Sequence, residues 1–502
     1  RVPTGARLKG DTLKLEVYRN PNKRNIAAIM SLTKIIKDSL WYGVVPKLSS
    51  IISIIVLPIV TPYLTPKDYG IYGIISAYLS LFNGISTLGL HMHLPNSFFT
   101  LKQKYKLLWR RIFGTMLISC IILSTILFCF YLFILPEIPI HQRWYVAILA
   151  IIPLLFSANG LIANNFYVLI GKPQPLVLRN LLGSIISIIT FFICARFFQI
   201  GYLSWIIASA FSTIAIFILF IKPIWINEKI YPQLEKSSKR QIRLLKIALP
   251  VIPHNLGHIL LSSADRIIMT ILGVSLIDIG LYSNGHQIGD YTSFAIIGIF
   301  TAISPAIQKA YRTNNKNLML YYYLTTQILC SVIVFLLAIW MKEIYYILIK
   351  NEELQRSYLV ASVICFSLAM YGNYAFMSTA AFIKEKTKNI LYLVFIPGII
   401  NILLAFCFIP IWGYIGAAFA MLIANWTNSL IPIFIEFYKK EMKNMLGDIH
   451  PVFYIILLNT VLFIFSIFIK ETSIFIKITI SLGTAYISFF FYRKKLSPLN
   501  NQ

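Results

Sequence analysis

His254, His258, Ser262 and Asp265 recur at intervals of 4, 4 and 3, a spacing that places side chains on one face of a helix. Arg266 follows directly, and Asn284, His286, Gln287 and Asp290 crowd the next helical stretch. Lys47 stands alone in an otherwise apolar run near the start. Ionisable groups among apolar residues are costly, and by default they mark a pathway. A dry surrounding favours the neutral form of a carboxylate, so its proton affinity rises; a nearby arginine pulls the other way. Beside Arg266, Asp265 therefore reads as a standing counter-ion and Asp290 as the better carrier of a proton or small cation. The His254/His258 face can serve the same ion. The bland alternative is that these groups bridge helices by hydrogen bonds.

Covalent catalysis finds no support. The sequence has no nucleophile elbow, HExxH pair, P-loop or carboxylate dyad. Its six cysteines (Cys120, Cys129, Cys194, Cys330, Cys365 and Cys407) lie in apolar runs without CxxC spacing or neighbouring histidine ligands. They read as small packing residues, not as metal ligands or disulfide partners. No enzyme, metal site or cofactor is expected.

The elements that must position the polar groups are membrane helices. Fourteen apolar stretches of spanning length follow one another at 39–63, 70–92, 112–135, 144–170, 177–199, 201–226, 247–273, 279–308, 320–349, 357–383, 389–411, 413–438, 451–469 and 472–492. The chain is 58% hydrophobic and 13% charged, with a mean hydropathy of +0.74. A soluble core needs far less apolar surface, so the expected class is an all-α polytopic membrane protein. Of the 45 Lys and Arg residues, 35 fall on one side of this pattern and 8 on the other, with Lys47 and Arg266 inside spans. The positive-inside rule then puts both termini in the cytoplasm. Sidedness also explains the net charge of +27 without nucleic acid. Trp109, Trp144 and Tyr321 to Tyr323 read as interfacial aromatics. No cleavable signal peptide is expected, and residues 1–29 read either as an upstream extension or as the product of a mis-called start ahead of Met30.

The chain also repeats itself. Asp68-Tyr69-Gly70-Ile71-Tyr72 and Asp278-Ile279-Gly280-Leu281-Tyr282 are 210 residues apart, Arg179-Asn180 and Lys388-Asn389 are 209 apart, and Gly201-Tyr202 and Gly413-Tyr414 are 212 apart. Equivalent places at nearly one offset imply two parallel six-helix bundles, a transporter design. The expected organisation is a basic segment at 1–38, a first bundle at 39–226, a charged linker at 227–246, a second bundle at 247–438, and a final helix pair with its tail at 439–502.

Four stretches carry a resemblance to a known family. They are Pro62 to Tyr72 with Thr87-Leu88-Gly89-Leu90; Leu249-Pro250 on to Ser263-Ala264-Asp265-Arg266-Ile267-Ile268; Gly280-Leu281-Tyr282-Ser283; and Asn401-Ile402-Leu403-Leu404 through Ile409-Pro410 to Ala418. Together they resemble the multidrug/oligosaccharidyl-lipid/polysaccharide (MOP) exporter superfamily, nearest to its O-antigen (Wzx-type) flippases. The resemblance implies a bacterial inner-membrane transporter that reorients undecaprenyl-pyrophosphate-linked oligosaccharide by alternating access, coupled to inward H+ or Na+. A polysaccharide polymerase and a chain-length regulator are its implied partners. On this reading Lys47 and Arg266 meet the pyrophosphate, Asn284 and Gln287 the substrate's polar groups, and Asp265, Asp290, His254 and His258 the coupling ion. Asn83, Asn159, Asn164, Asn165, Asn373, Asn425 and Asn428 offer further amides. The competing readings are a drug or cation antiporter of the same superfamily, a flippase for the peptidoglycan precursor (whose first lobe should hold more arginine) and, in a different class, a membrane-bound polysaccharide polymerase or acyltransferase. A polymerase should carry a long outer loop, and the longest outer connections here are about ten residues.

Overall fold

A computed structural model describes residues 45–101, 104–134, 138–235, 237–469 and 471–491. The basic segment at 1–38 and the last eleven residues lie outside that description, as does the Lys47 side chain. Among the described residues there is helix and no strand. The main helices are α1 Val45–Val60, α2 Pro66–Ser86, α3 His93–Thr100, α4 Tyr105–Ile134, α5 Ile140–Leu155, α6 Ser157–Leu169, α7 Pro173–Ile193 and α8 Leu203–Phe220. After them come α9 Ser238–Ala248, α10 Ile252–Ser262, α11 Ala264–Ile271, α12 Leu276–Asp290, α13 Thr292–Arg312, α14 Lys316–Ile339 and α15 Met341–Leu348. The chain closes with α16 Tyr358–Ser367, α17 Tyr371–Ile383, α18 Thr387–Thr427, α19 Glu436–Leu446, α20 His450–Ile469 and α21 Ile474–Phe491.

Among the described residues, nine helices are long and apolar enough to cross a membrane, or eleven when each of two bent pairs counts as one span. Large apolar side chains face outward along them, such as Ile51, Ile55 and Ile59 on α1 and Leu457, Val461 and Phe468 on α20. Their exposure suits hydrocarbon, where leucine gains nothing by hiding. The 41-residue α18 is two helices. At Gly413 the backbone turns to φ 59°, ψ −143°, and a Cβ on Gly416 would lie 2.3 Å from the Phe408 carbonyl oxygen. That contact requires the chain to fold back, so the expected boundary between 411 and 413 falls at a real reversal.

The repeat is visible in local geometry. Thr65 caps α2, accepting from the Asp68 N–H at 3.2 Å while its own N–H donates to Asp68 Oδ2 at 2.9 Å. Ser275, 210 residues on, caps α12 in the same way, accepting from the Asp278 N–H at 3.1 Å. Gly201 and Gly413 both take the left-handed φ (57° and 59°) that glycine alone adopts freely. Asp68 Oδ1 then accepts from the Tyr202 N–H at 2.9 Å, tying the first motif to the second.

Several expectations change. The charged stretch at 227–246 is helical from Ser238. Trp109 is wholly buried, its indole donating to Ser97 Oγ at 2.9 Å, and Tyr323 is buried with its hydroxyl on Asn373. Neither is an interfacial aromatic, although Trp144 is half exposed. Lys477, in the first turn of α21, has no exposed surface and donates to Glu343 Oε1 at 2.6 Å. A paired ammonium can be buried where an isolated one cannot, and this pair fixes α21 to α15.

Candidate functional site

The helices that carry the polar residues meet around α2. It packs most extensively on α12, and also on α10 and α11, while α10 lies along α18. Small residues allow the closest approach. A Cβ on Gly280 would lie 1.7 Å from the Pro66 carbonyl oxygen, and one on Gly70 would lie 2.1 Å from that of Leu276. Gly73 meets Ser283 Oγ in the same manner, at 2.2 Å. Gly70 faces Gly280 and Gly73 faces Ser283, each pair at the repeat offset, so the two halves touch through equivalent residues. Two further bonds join them at this end: the Lys350 N–H donates to Thr61 Oγ1 and Asn351 Nδ2 to the Leu64 carbonyl, each at 3.0 Å. We term this the cap end.

Just inside it lies Asp265, fully buried. The span that holds it is discontinuous: α10 stops at Ser262, Ser263 takes φ −135°, ψ −14°, and α11 begins at Ala264. Asn401 bridges the break. Its Nδ2 donates both to the Leu260 carbonyl at 3.1 Å and to Asp265 Oδ1 at 2.9 Å. Tyr282 donates to Asp265 Oδ2 at 2.6 Å. Both carboxylate oxygens therefore have neutral donors, one from α12 and one from α18, and a freed helix carbonyl is satisfied as well.

Arg266 runs the other way. Its side chain passes Gly73 of α2, and its guanidinium lies 5.7 Å from the Tyr282 ring. Only a weak bond to the Ser262 carbonyl, at 3.5 Å, is made by Nη1, and Nε has no partner. Among the described residues no carboxylate pairs with it, so the expectation that Asp265 is its standing counter-ion is not met: the neighbouring side chains turn apart, and Asp265 is held by neutral donors instead. Around Arg266, Ser283 Oγ and His286 Nε2 are likewise buried without partners, and the Tyr69 hydroxyl of α2 and the Asn284 amide lie buried beside each other.

The remaining predicted residues are placed as follows. His254 and His258 stack edge to face at 5.3 Å, and His258 is exposed. The break at Ser263 takes Asp265 off their face, so the expected four-residue stripe is interrupted. No proline or glycine marks that break, which is why spacing alone missed it. Gln287 is half-buried, its amide 3.4 Å from the Tyr291 hydroxyl, and Asp290 is half-buried at the end of α12. Asn159 and Asn373 serve packing: Asn159 accepts from Trp225 and Asn373 donates to Ser429. Tyr282 and Asn401 were not singled out as site residues, although both stand in the motifs that carry the resemblance.

Beyond this interface a cavity of about 590 Å³ opens between α13 and α17, toward the end opposite the caps. Hydroxyl and amide groups line it, among them Ser304, Gln308, Ser378 and Thr379, with Arg312 at its margin and the rings of Tyr371 and Tyr374 on one wall. His258 reaches its edge, 6.0 Å from Tyr374. No group of histidine, cysteine or carboxylate side chains able to hold a metal occurs among the described residues.

This helical arrangement is that of the MOP exporters. The chain superposes on the structure described as "Lipid II flippase MurJ, inward closed conformation" with a TM-score of 0.65 at 15% identity, covering 91% of this chain and 99% of that one. It superposes on "Inward-facing conformation of a multidrug resistance MATE family transporter of the MOP superfamily" at 0.59 and 14% identity, covering 80% and 96%. No curated protein matches the sequence. Residues 35–311, more than half of the chain, match the family described as polysaccharide biosynthesis protein, and the chain belongs to that family.

Proposed function

We propose that this protein is a flippase that moves undecaprenyl-pyrophosphate-linked oligosaccharide from the inner to the outer leaflet of a bacterial inner membrane. Fourteen spans, both termini in the cytoplasm and two six-helix bundles moving against each other complete the reading. Its principal support is the pairing of a closed contact at the cap end with a hydroxyl- and aromatic-lined cavity facing the other end. Sugars need hydroxyl and amide partners, and a pyrophosphate needs fixed cations when it leaves water. Arg266, with an unpartnered Nε, is the internal cation; Lys47, Asn284 and Gln287 complete the substrate set. Asp265, Asp290 and the His254/His258 pair answer the coupling ion, H+ or Na+. No cofactor is required, and a polymerase and chain-length regulator would consume the product.

The steps follow from what each contact costs. The cap-end contact excludes water while substrate loads from the other side. Occupation of the cavity, together with ion entry at Asp265, competes with the Tyr282 and Asn401 donors. Loss of those donors loosens the seventh span from the eighth and eleventh, and the Gly70/Gly280 contact parts. Deleting the gene should leave lipid-linked oligosaccharide on the inner leaflet and abolish surface polymer. Surface polymer persisting in a strain without a redundant flippase would refute the assignment and favour a drug or cation antiporter.

A further inference from the structure

Helix α9 has no place in that mechanism, yet it is built for a partner. Gln241, Leu244, Leu245 and Ala248 form one face, and Leu244 and Leu245 pack near Leu90 and Ile112. On the opposite crest Lys239, Arg243 and Lys246 are exposed, flanked by Ile242 and Ile247, which are 53% and 62% exposed. The acids nearby are spent internally: Glu228 pairs with Lys106 at 2.8 Å, and Glu235 with Arg111 at 3.1 Å and Arg240 at 3.7 Å. The outward face is thus cationic with apolar shoulders, complementary to an anionic lipid surface rather than to water or an acidic protein alone.

Its mounting is as informative as its charge. Leu244 offers its carbonyl to His93 Nε2 at 3.0 Å, and a Cβ on Gly89 would lie 2.2 Å from the Ala248 carbonyl oxygen. Gly89 (φ 69°) stands where the second span bends by 49°, and α9 and α10 meet at a bend of 45°. One short helix therefore bridges the bend after α2 and the bend that leads into α10, the half-span before Arg266.

We propose that residues 238–248 bind anionic phospholipid headgroups of the surrounding bilayer, and that this holds the bends at Gly89 and Leu249–Val251 in register. The full-length protein, exchanged into nanodiscs of phosphatidylglycerol or of phosphatidylcholine, tests this by native mass spectrometry of retained lipid and by hydrogen exchange. Wild type should keep phosphatidylglycerol preferentially, and amides of 238–248 should exchange several-fold more slowly in it. The Lys239→Gln/Arg243→Gln/Lys246→Gln triple should lose the preference on the order of a hundredfold. The equally basic control Lys439→Gln/Lys440→Gln/Lys443→Gln on α19 should keep it. Equal retention by both triples, equal loss in both, or identical exchange of wild type in the two lipids would overturn the proposal. Should the first triple fail to fold, the wild-type exchange comparison decides alone.

Discussion

The two copies of the repeat motif share a backbone and differ in what surrounds it. In the first, Tyr72 stacks on Trp205 at 5.0 Å, Tyr69 meets the same ring edge-on at 4.7 Å, and Phe191 covers its neighbourhood at 5.0 Å. In the second, Tyr282 occupies the place of Tyr72 but donates to Asp265, which Asn401 holds from the other side. At the 210-residue offset, Asp265 and Asn401 correspond to Ile55 and Phe191. One copy is a dry aromatic plug and the other a buried polar network. Dispersion and area burial make the first insensitive to small changes. The second is high-stakes, because each lost partner strands a charge or an amide in a low-dielectric interior. The two copies share the frame, and only the second carries a buried carboxylate network.

Removing the contact common to both copies should have the largest effect. Gly280→Val puts side-chain atoms into the Pro66 carbonyl, and no rotamer relieves a clash that begins at Cβ. Transport should be lost outright while the protein still accumulates in the membrane, measured by surface polymer and immunoblot. Normal polymer with Gly280→Val would show that the cap end never closes this tightly.

Arg266 comes next. Replacing it by Ala removes the one buried guanidinium among the described residues, and losing a charge-assisted contact costs about 1.5–3 kcal/mol, roughly 10–100-fold in transport rate. Lys should restore part of this at most, since an ammonium is a point charge without the planar fork. Full rescue by Lys would mean that phosphate is not gripped bidentately there.

The finest probe sets the two tyrosines against each other. Tyr282→Phe leaves Asp265 Oδ2 without its donor and should cost about 1–3 kcal/mol of stability, read as a lower melting temperature in detergent. Tyr72→Phe keeps its stacking on Trp205 and should stay within about 0.5 kcal/mol of wild type. Equal losses would erase the distinction between the copies.

Much of this frame is legible without coordinates. Apolar run length placed the helices, because a span must satisfy its own backbone. The Gly201 and Gly413 pair marked both turns, since a left-handed residue there has few alternatives to glycine. What spacing could not deliver were contacts across spans. The Tyr282–Asp265–Asn401 triangle joins three helices whose rotation depends on packing, and the break at Ser263 carries no proline or glycine. The Lys477–Glu343 pair was out of reach for the same reason, its partners standing 134 residues apart.

The central claim, that the polar copy couples ion entry to movement of a lipid-linked sugar, is met most directly in proteoliposomes. Pyrophosphate-linked oligosaccharide loaded in one leaflet would be followed by a membrane-impermeant lectin while a proton or sodium gradient is imposed. Wild type should accelerate translocation when the gradient is applied. Asp265→Asn and Asp290→Asn should each translocate at a rate the gradient no longer changes, at normal protein levels. If both variants respond to the gradient as wild type does, these carboxylates are helix-packing groups and the coupling site lies elsewhere.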